Sequence, residues 1–134
     1  MIEEFKRKYF DGVYNPIYDF TTARSNRYLR LQARCIGLLA PAPGDSVLCA
    51  GLGTGNEIPR LLEFEADLRL TGIDYSPRAL ARARQKADRL GVTLELHDMD
   101  VCAIDLPDDT FDRVLCLHVA DFVERTDQMV AEIQ

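Results

Sequence analysis

The chain has 134 residues, of which 47% are hydrophobic and 28% are charged, and these proportions are typical of a single folded globular domain. Its net charge of −6 disfavours a protein whose main task is to bind nucleic acid, because such binding requires a basic surface. No apolar run approaches the roughly 20 residues of a membrane span, and the N-terminus lacks the apolar core of a signal peptide, so we expect a cytoplasmic protein without a transmembrane segment.

The N-terminal residues 1–22 are rich in aromatic side chains, which predicts a short helix and then an irregular segment packed over another part of the molecule. This segment either fastens the N-terminus to the core or forms a lid over a ligand. A second helix is expected to begin after Thr21 or Thr22 and to present an apolar face formed by Tyr28, Leu31, Cys35, Leu38 and Leu39. We assign residues 1–44 to this helical and aromatic segment and residues 45–134 to the core domain.

A predicted buried strand at residues 46–50 opens the most informative stretch. Three glycines at alternate positions, Gly51, Gly53 and Gly55, follow it, and a helix is predicted at residues 57–64. Glycine can adopt a positive φ and lets a ligand lie against the backbone, and the helix directs unpaired N–H groups at the same place. The stretch therefore predicts a site for a nucleotide-like or anionic ligand.

A second strand is predicted at residues 68–75, with Asp74 near its end. Ser76-Pro77 is a helix start signal, and Gly91 is a helix stop signal. The helix between them is expected to bury one face and to expose the other, with Leu80, Ala83, Ala87 and Leu90 inside and Arg78, Arg82, Arg84, Lys86 and Arg89 outside.

Two further strands are predicted at residues 92–97 and 111–118, with an acidic loop between them and a last helix from about Glu124. Strands that alternate with helices predict an α/β fold, with a doubly wound parallel sheet covered on both faces. Ligands of such sheets bind beyond the carboxyl ends of the strands. The glycine turn, Asp74, residues 98–100 and His118 follow four different strands, so we expect four loops to converge on one crevice.

The four cysteines contain no Cys-x-x-Cys pair, and three of them lie in apolar segments; they are Cys35, Cys49, Cys102 and Cys116. We expect reduced thiols that act as small buried hydrophobes, with neither disulfides nor a metal site.

The glycine spacing separates two kinds of adenosine cofactor. A dinucleotide-binding turn requires Gly-x-Gly-x-x-Gly, whereas this turn continues with Asn56 and lacks the last glycine. Asp74 follows about 20 residues later, where a carboxylate can accept hydrogen bonds from both hydroxyls of a ribose in either kind of cofactor.

These residues resemble the class I S-adenosylmethionine-dependent methyltransferases. Residues 47–56 look like the glycine-rich first motif of that family, and residues 72–76 look like its ribose-binding strand end. Residues 100–112 are similar to its adenine loop and the start of its fourth strand, and residues 117–121 to the segment after that strand. Tyrosines and aspartates within residues 9–19 are similar to the N-termini of quinone-type and phospholipid-type methyltransferases.

The resemblance implies a Rossmann-like fold that binds S-adenosyl-L-methionine. It implies that Gly51, Gly53 and Gly55 bring the backbone against the methionine and ribose parts of the cofactor, and that Asp74 holds the ribose hydroxyls. The implied reaction is methyl transfer to a small-molecule or lipid acceptor, with nucleic acid disfavoured as a partner.

Further roles follow from the resemblance for the adenine and the acceptor. Tyr75 would flank the adenine ring, and Asp100 would accept a hydrogen bond from its amino group beside the N–H of Val101. Asp98 would take this role if the loop is shifted by two residues. His118 is the one candidate base, with a structural role as its alternative, and Tyr14 and Tyr18 are candidates for closing over the methyl donor.

Two departures from the family pattern limit what the resemblance implies. Cys49 occupies a position that is usually acidic in the family, which removes a charge near the amino acid end of the cofactor. The family sheet has seven strands and four are found here, so we expect a fragment of a longer chain, with self-association through the open edge at residues 111–118 as the alternative. The rival functions are a cofactor-binding protein without activity and, less favoured, a nicotinamide-dependent oxidoreductase.

Overall fold

The structure is a computed structural model that describes residues 2–9, 25–117, 119 and 123–134. Its helices are α1 (Ile2–Tyr9), α2 (Asn26–Leu39), α3 (Ile58–Phe64), α4 (Pro77–Leu90) and α5 (Thr126–Ile133). Its strands are β1 (Ser46–Ala50), β2 (Arg69–Asp74), β3 (Leu94–Asp98) and β4 (Arg113–Leu115).

The four strands form one parallel sheet in the order β3-β2-β1-β4. The chain moves outward from β1 through β2 to β3, and then crosses back to place β4 on the other side of β1. This reversal puts the topological switch point between β1 and β4, where sheets of this kind hold their ligands at the carboxyl ends of the strands. The predicted parallel α/β fold is confirmed.

Helices cover both faces of the sheet, and each face has its own apolar cluster. On one face, Ile36 of α2, Leu61 of α3 and Ala83 of α4 pack against Val47 of β1. On the other face, Met129 of α5 belongs to a cluster with neighbouring strand residues. The alternation of strand side chains between the two faces explains why β1 is buried along almost its whole length.

The caps of α4 are those that the sequence predicts. The hydroxyl of Ser76 accepts the N–H of Ala79 at 3.2 Å, and Gly91 ends the helix with a positive φ of 67°. The predicted start of α2 is wrong, because the helix begins at Asn26 with Ser25 as its N-cap instead of Thr21 or Thr22. Serine satisfies the same unpaired N–H groups as threonine, and local sequence does not choose between them.

The apolar face predicted for α2 is also wrong in part. Leu31 and Leu38 are 45% and 78% exposed, while Gln32 and Ile36 are buried together with Tyr28. In α4, the side chain expected at the inner C-terminal position, Leu90, is 47% exposed. Each of these helices contains more apolar side chains than one face can hold, so packing against the sheet determines which of them are buried.

Candidate functional site

The glycine turn after β1 combines one glycine that leaves room for a ligand with one that leaves room for a helix. Gly53 has a φ of 59°, and a β-carbon added there would meet nothing within 4 Å. Gly55 has a φ of 82°, and a β-carbon added there would lie 3.1 Å from the β-carbon of Ala83 and 2.9 Å from Cδ1 of Ile58. The open space therefore lies beside Gly53, and Gly55 allows α4 to pack closely against the turn.

The buried carboxylate of Asp74 ties the end of β2 to the glycine turn. Its Oδ2 accepts the N–H of Gly53 at 2.9 Å, and its Oδ1 accepts the N–H of Ser76 at 2.9 Å. Asp74 is only 8% exposed, so these backbone donors offset part of the cost of burying a charge. The hydrogen bonds fix the carboxylate beside the open space at Gly53.

The end of β3 lies next to this carboxylate. Asp98 is paired in register with Asp74, and the N–H of Met99 donates to the backbone carbonyl of Asp74 at 3.1 Å. Asp100 is exposed and its Oδ1 accepts the N–H of Cys102 at 2.8 Å, whereas Val101 between them is buried. The loop after β3 is thus held against the end of β2, with one carboxylate pointing to solvent and an apolar side chain beside it.

The first helix also reaches this edge of the sheet. Nη2 of Arg7 in α1 lies 3.1 Å from Oδ1 of Asp98, and both side chains are nearly half exposed. An exposed pair of this kind contributes little to stability, but it places α1 at the carboxyl end of β3. Tyr14, Tyr18 and His118 lie outside the described residues, so the structure brings together three of the four predicted loops.

Sequence reasoning missed Glu57, which follows the glycine turn directly. Glu57 is 5% exposed, and burial together with repulsion from Asp74 raises the pKa of its carboxyl to about 8, against the opposing influences of its own backbone N–H and of Lys86. A glutamate immediately after a glycine turn is the only sequence signal for it, and that signal does not distinguish a solvated side chain from a buried one.

Two thiols lie close enough to Glu57 to be affected by it. Burial, with a smaller contribution from Glu57, raises the pKa of both the Cys49 thiol in β1 and the Cys116 thiol just beyond β4. All four cysteines are free; Cys49 and Cys102 are buried as expected, whereas Cys35 and Cys116 are only partly buried. Both thiols therefore stay protonated at neutral pH and contribute no charge to this part of the site.

Lys86 is a second residue that sequence reasoning misplaced. It was expected on the outer face of α4, but its Nζ donates to Oδ1 of Asn56 at 2.8 Å and lies 3.4 Å from Oγ1 of Thr54. A lysine at the edge of an amphipathic face has a stem long enough to turn back over the helix, and helical spacing alone does not reveal the direction. Lys86 thereby fastens α4 to the glycine turn.

Within the described part of the chain, no three His, Cys, Asp or Glu side chains are grouped so that they could hold a metal ion. No helix in the same residues is both long enough and apolar enough to cross a membrane.

Comparison of the chain with known proteins gives a consistent result. The family model described as a methyltransferase domain matches residues 48–134. A phosphatidylethanolamine N-methyltransferase of Cereibacter sphaeroides is 34% identical over 119 residues, which cover 87% of this chain and 56% of that protein. A demethylmenaquinone methyltransferase of Thermus thermophilus is 31% identical over 86 residues, which cover 64% of this chain and 39% of that protein.

Solved structures show the same fold. Magnesium protoporphyrin IX methyltransferase from Synechocystis, solved with bound S-adenosylmethionine, superposes with a TM-score of 0.73 and 18% identity, over 97% of this chain and 69% of that one. The chain spans about half the length of the curated relatives it matches, 56% of the first and 39% of the second.

Proposed function

The chain belongs to the class I S-adenosylmethionine-dependent methyltransferases, and on this premise we propose that it binds S-adenosyl-L-methionine at the glycine turn and serves methyl transfer to a small-molecule or lipid acceptor. The observation that carries the proposal is the hydrogen bond at 2.9 Å between the N–H of Gly53 and the carboxylate of Asp74. It joins the two proposed parts of an adenosine site, an open backbone surface and a ribose-binding carboxylate, between the carboxyl ends of β1 and β2 and next to the switch point of the sheet.

The residues present fit such a cofactor. The open space beside Gly53 leaves room for a group in direct contact with the backbone. Each oxygen of the Asp74 carboxylate accepts one backbone N–H and has a further lone pair that would accept a hydrogen bond from a ribose hydroxyl. Gly51 and Gly55 shape the turn on either side of this space. The close approach of α4 to Gly55 supports a packing role for this glycine in addition to the implied contact with the cofactor.

We assign the adenine to the loop after β3. Tyr75, directly after Asp74, would flank the ring, and Asp100 with the N–H of Val101 would recognise its edge. The support is that this loop is held against β2 by the hydrogen bond from Met99, and that Asp100 is exposed with an apolar neighbour. Asp98 is the weaker candidate, because its carboxylate already pairs with Arg7.

When bound, the cofactor would supply a methyl group on a sulfonium, which a nucleophile of the acceptor would attack in line as the methyl–sulfur bond breaks and S-adenosylhomocysteine leaves. The main work of the chain is then positioning, which the fixed carboxylate and the rigid turn provide. Tyr14 and Tyr18 remain proposed as lid residues and His118 as a proposed base. The lipid or small-molecule acceptor is supported by the relatives, whose names specify phosphatidylethanolamine and demethylmenaquinone.

Calorimetry tests the cofactor half of the proposal. S-adenosylmethionine and S-adenosylhomocysteine should bind, NAD should not, and Asp74→Asn should weaken binding about tenfold or more because a charge-assisted hydrogen bond to the ribose is lost. Asp88→Asn, at an exposed position of α4, is the matched control and should bind as the wild type does. Binding of NAD in preference to both sulfur-containing ligands would overturn the proposal in favour of an oxidoreductase.

Transfer of a labelled methyl group tests the acceptor half. Vesicles that contain phosphatidylethanolamine, a demethylated quinone and a structured RNA are offered in parallel to the chain. Label in either of the first two supports the proposal, and label only in RNA contradicts it. Cofactor binding without label in any acceptor favours the binding-only function over the enzymatic one.

A further inference from the structure

The outward side of α2 carries arginines and leucines next to one another. Five exposed residues of this helix each lie three or four positions from another of the set, and they therefore share one side of it: Arg27, Arg30, Leu31, Arg34 and Leu38. The buried residues of α2 lie on the opposite side. Leu31 and Leu38 are 45% and 78% exposed, so this set, here called the α2 stripe, is both basic and apolar.

The charge of α2 is opposite to that of the chain as a whole. The helix contains three of the chain's 16 basic residues and none of its 22 acidic ones, although the net charge of the chain is −6. Among the described residues, none of the three guanidinium groups is paired with a carboxylate. They are therefore available to phosphate groups outside the chain, which a guanidinium binds with two parallel hydrogen bonds.

The two faces of the sheet differ in charge in the same sense. α2 belongs to the apolar cluster of one face through Ile36, and the loop after β3 belongs to the cluster of the other face through Val101 and Cys102. Residues 98–112, which include this loop, contain six exposed aspartates and no basic residue. The α2 stripe and the acidic loop thus point in opposite directions, and this polarity would orient the molecule at an extended anionic surface.

The shape of the α2 stripe indicates which anionic surface it fits. It is the convex side of one helix and extends for about 16 Å from Arg27 to Leu38 at the helical rise per residue. Guanidinium groups and leucines that alternate along such a side match the boundary between lipid phosphates and acyl chains. Because a short connection joins the end of α2 to the start of β1, the N-terminal turn of α2 lies towards the carboxyl edge of the sheet, which holds the proposed cofactor site.

We propose that the α2 stripe docks on an anionic lipid surface. Its arginines bind lipid phosphates, and Leu31 and Leu38 enter the boundary with the acyl chains. This inference goes beyond the proposed function, because docking requires neither the cofactor nor methyl transfer.

Cosedimentation with vesicles, without any cofactor, tests the need for charge. Vesicles of equal parts phosphatidylcholine and phosphatidylglycerol should bind the wild-type chain, phosphatidylcholine alone should bind it at least about tenfold more weakly, and added salt should weaken binding. The combined variant Arg27→Gln, Arg30→Gln and Arg34→Gln should lower the partition coefficient about a hundredfold, at roughly fivefold for each charge.

The matched control removes the same net charge from α4. Three exposed arginines of that helix are replaced by glutamine: Arg78, Arg84 and Arg89. This variant should lower the partition coefficient by less than about threefold, because these arginines affect only the long-range attraction to the vesicle.

An introduced tryptophan tests whether the leucines enter the bilayer. The chain has no tryptophan of its own, so Leu38→Trp carries a single indole at a position that is already exposed. On the mixed vesicles its fluorescence should shift to shorter wavelength and be quenched by brominated acyl chains. Val130→Trp, at an exposed residue of α5 on the other face of the sheet, is the control and should show neither effect.

The outcomes separate this inference from the proposed function. Failure of the wild-type chain to bind the mixed vesicles, equal losses in the α2 and α4 variants, or an indole at position 38 that stays unquenched on bound chain would each overturn docking through α2. A dimer in lipid-free solution that the α2 variant abolishes would also overturn it, because a second copy of the chain would then cover the stripe. None of these results affects the proposed function, which adenosine ligands test in the absence of lipid.

Discussion

Glu57 makes the stability of the chain depend on pH in a direction opposite to that of an ordinary paired carboxylate. Burial raises the pKa of its carboxyl to about 8, whereas the ordinary value of 4.5 applies in the unfolded state. Between these two pH values the folded state keeps a proton that the unfolded state has released. The free energy of unfolding should therefore fall as pH rises through this window, by about 3 kcal/mol between pH 5 and pH 8. Urea denaturation at several pH values measures this change in the free energy of unfolding.

The variant Glu57→Gln should remove most of this pH dependence, because its amide does not titrate. Glu63→Gln should retain the wild-type slope, since Glu63 is exposed and lies in a surface pair with Arg60. A Glu57→Gln slope equal to that of the wild type would show that another group titrates in this range.

The glycines of the turn should respond differently to the same substitution. Gly55→Ala combines a left-handed backbone with crowding against Ala83 and should cost about 2–4 kcal/mol of stability. Gly53→Ala meets no protein atom within 4 Å, so it should cost only about 1–2 kcal/mol while it fills the space assigned to the ligand. Urea denaturation and calorimetry with S-adenosylhomocysteine measure the two effects, and a larger stability loss at Gly53 than at Gly55 would contradict this division.

The conformation or role of a single residue was predictable from sequence where it depends only on the local backbone. The positive φ of the three glycines and the Ser76 cap follow from residue type and from neighbours in sequence. Glu57 and Lys86 were not predictable in this way, because the burial of the first and the direction of the second are set by segments far away in sequence. The electrostatics of the site therefore depends on the tertiary fold and does not follow from local sequence.

Among the elements, β4 is held at its start by a compact set of hydrogen bonds. Oδ2 of Asp112 accepts the N–H of Ser46 at 2.8 Å and its hydroxyl at 3.0 Å, and the N–H of Asp112 donates to the carbonyl of Ser46 at 2.9 Å. These hydrogen bonds lower the pKa of Asp112. Because the pairing of β4 with β1 covers only three register positions, this attachment matters for the strand.

Asp112→Ala should loosen β4 without unfolding the sheet. The amides of residues 113–115 should exchange with deuterium severalfold faster, whereas those of β2 should keep their rates. In the wild type, lowering the pH through the depressed pKa of Asp112 should also loosen β4, because protonation removes the carboxylate charge that the hydrogen bonds from Ser46 stabilise. Equal acceleration in β2 and β4 would indicate global destabilisation instead of local release.

The elements themselves were largely predictable, and their faces were less so. Alternation of short apolar runs with helical periods identified all four described strands, with ends shifted by a few residues. In α2, however, Gln32 is buried while Leu38 is exposed, because the contact with α3 and the sheet decides which side is covered. Periodicity defines an amphipathic helix but leaves its rotation open when apolar residues exceed one face.

At the scale of the whole molecule, the two edges of the described sheet differ in character. β3 carries Glu95, His97 and Asp98, and these side chains discourage another strand from pairing with it. β4 is short, with an exposed Arg113 followed by the apolar Val114 and Leu115. Its outer side, the predicted open edge, lacks a partner strand among the described residues. We therefore expect this 134-residue chain to associate through β4 at high concentration.

Sedimentation velocity over a rising concentration series measures this association. Amide exchange in residues 113–115 should slow in step with dimer formation, and exchange in β3 should not. A single species at all concentrations, or a dimer that leaves β4 exchange unchanged, would contradict the role of this edge.

The described sheet brings the three loops of the proposed cofactor site together, so cofactor binding there should stabilise the whole fold. A ligand present at a hundredfold excess over its Kd adds about 2.7 kcal/mol to the free energy of unfolding, which should raise the Tm by roughly 10 °C for a domain of this size. S-adenosylhomocysteine should produce this shift, and it should grow with the logarithm of ligand concentration. Asp74→Asn should need a correspondingly higher concentration for the same shift, because the proposed hydrogen bonds from the ligand to this carboxylate are weakened. A shift that survives unchanged in Asp74→Asn would show that the stabilising ligand binds elsewhere on the molecule.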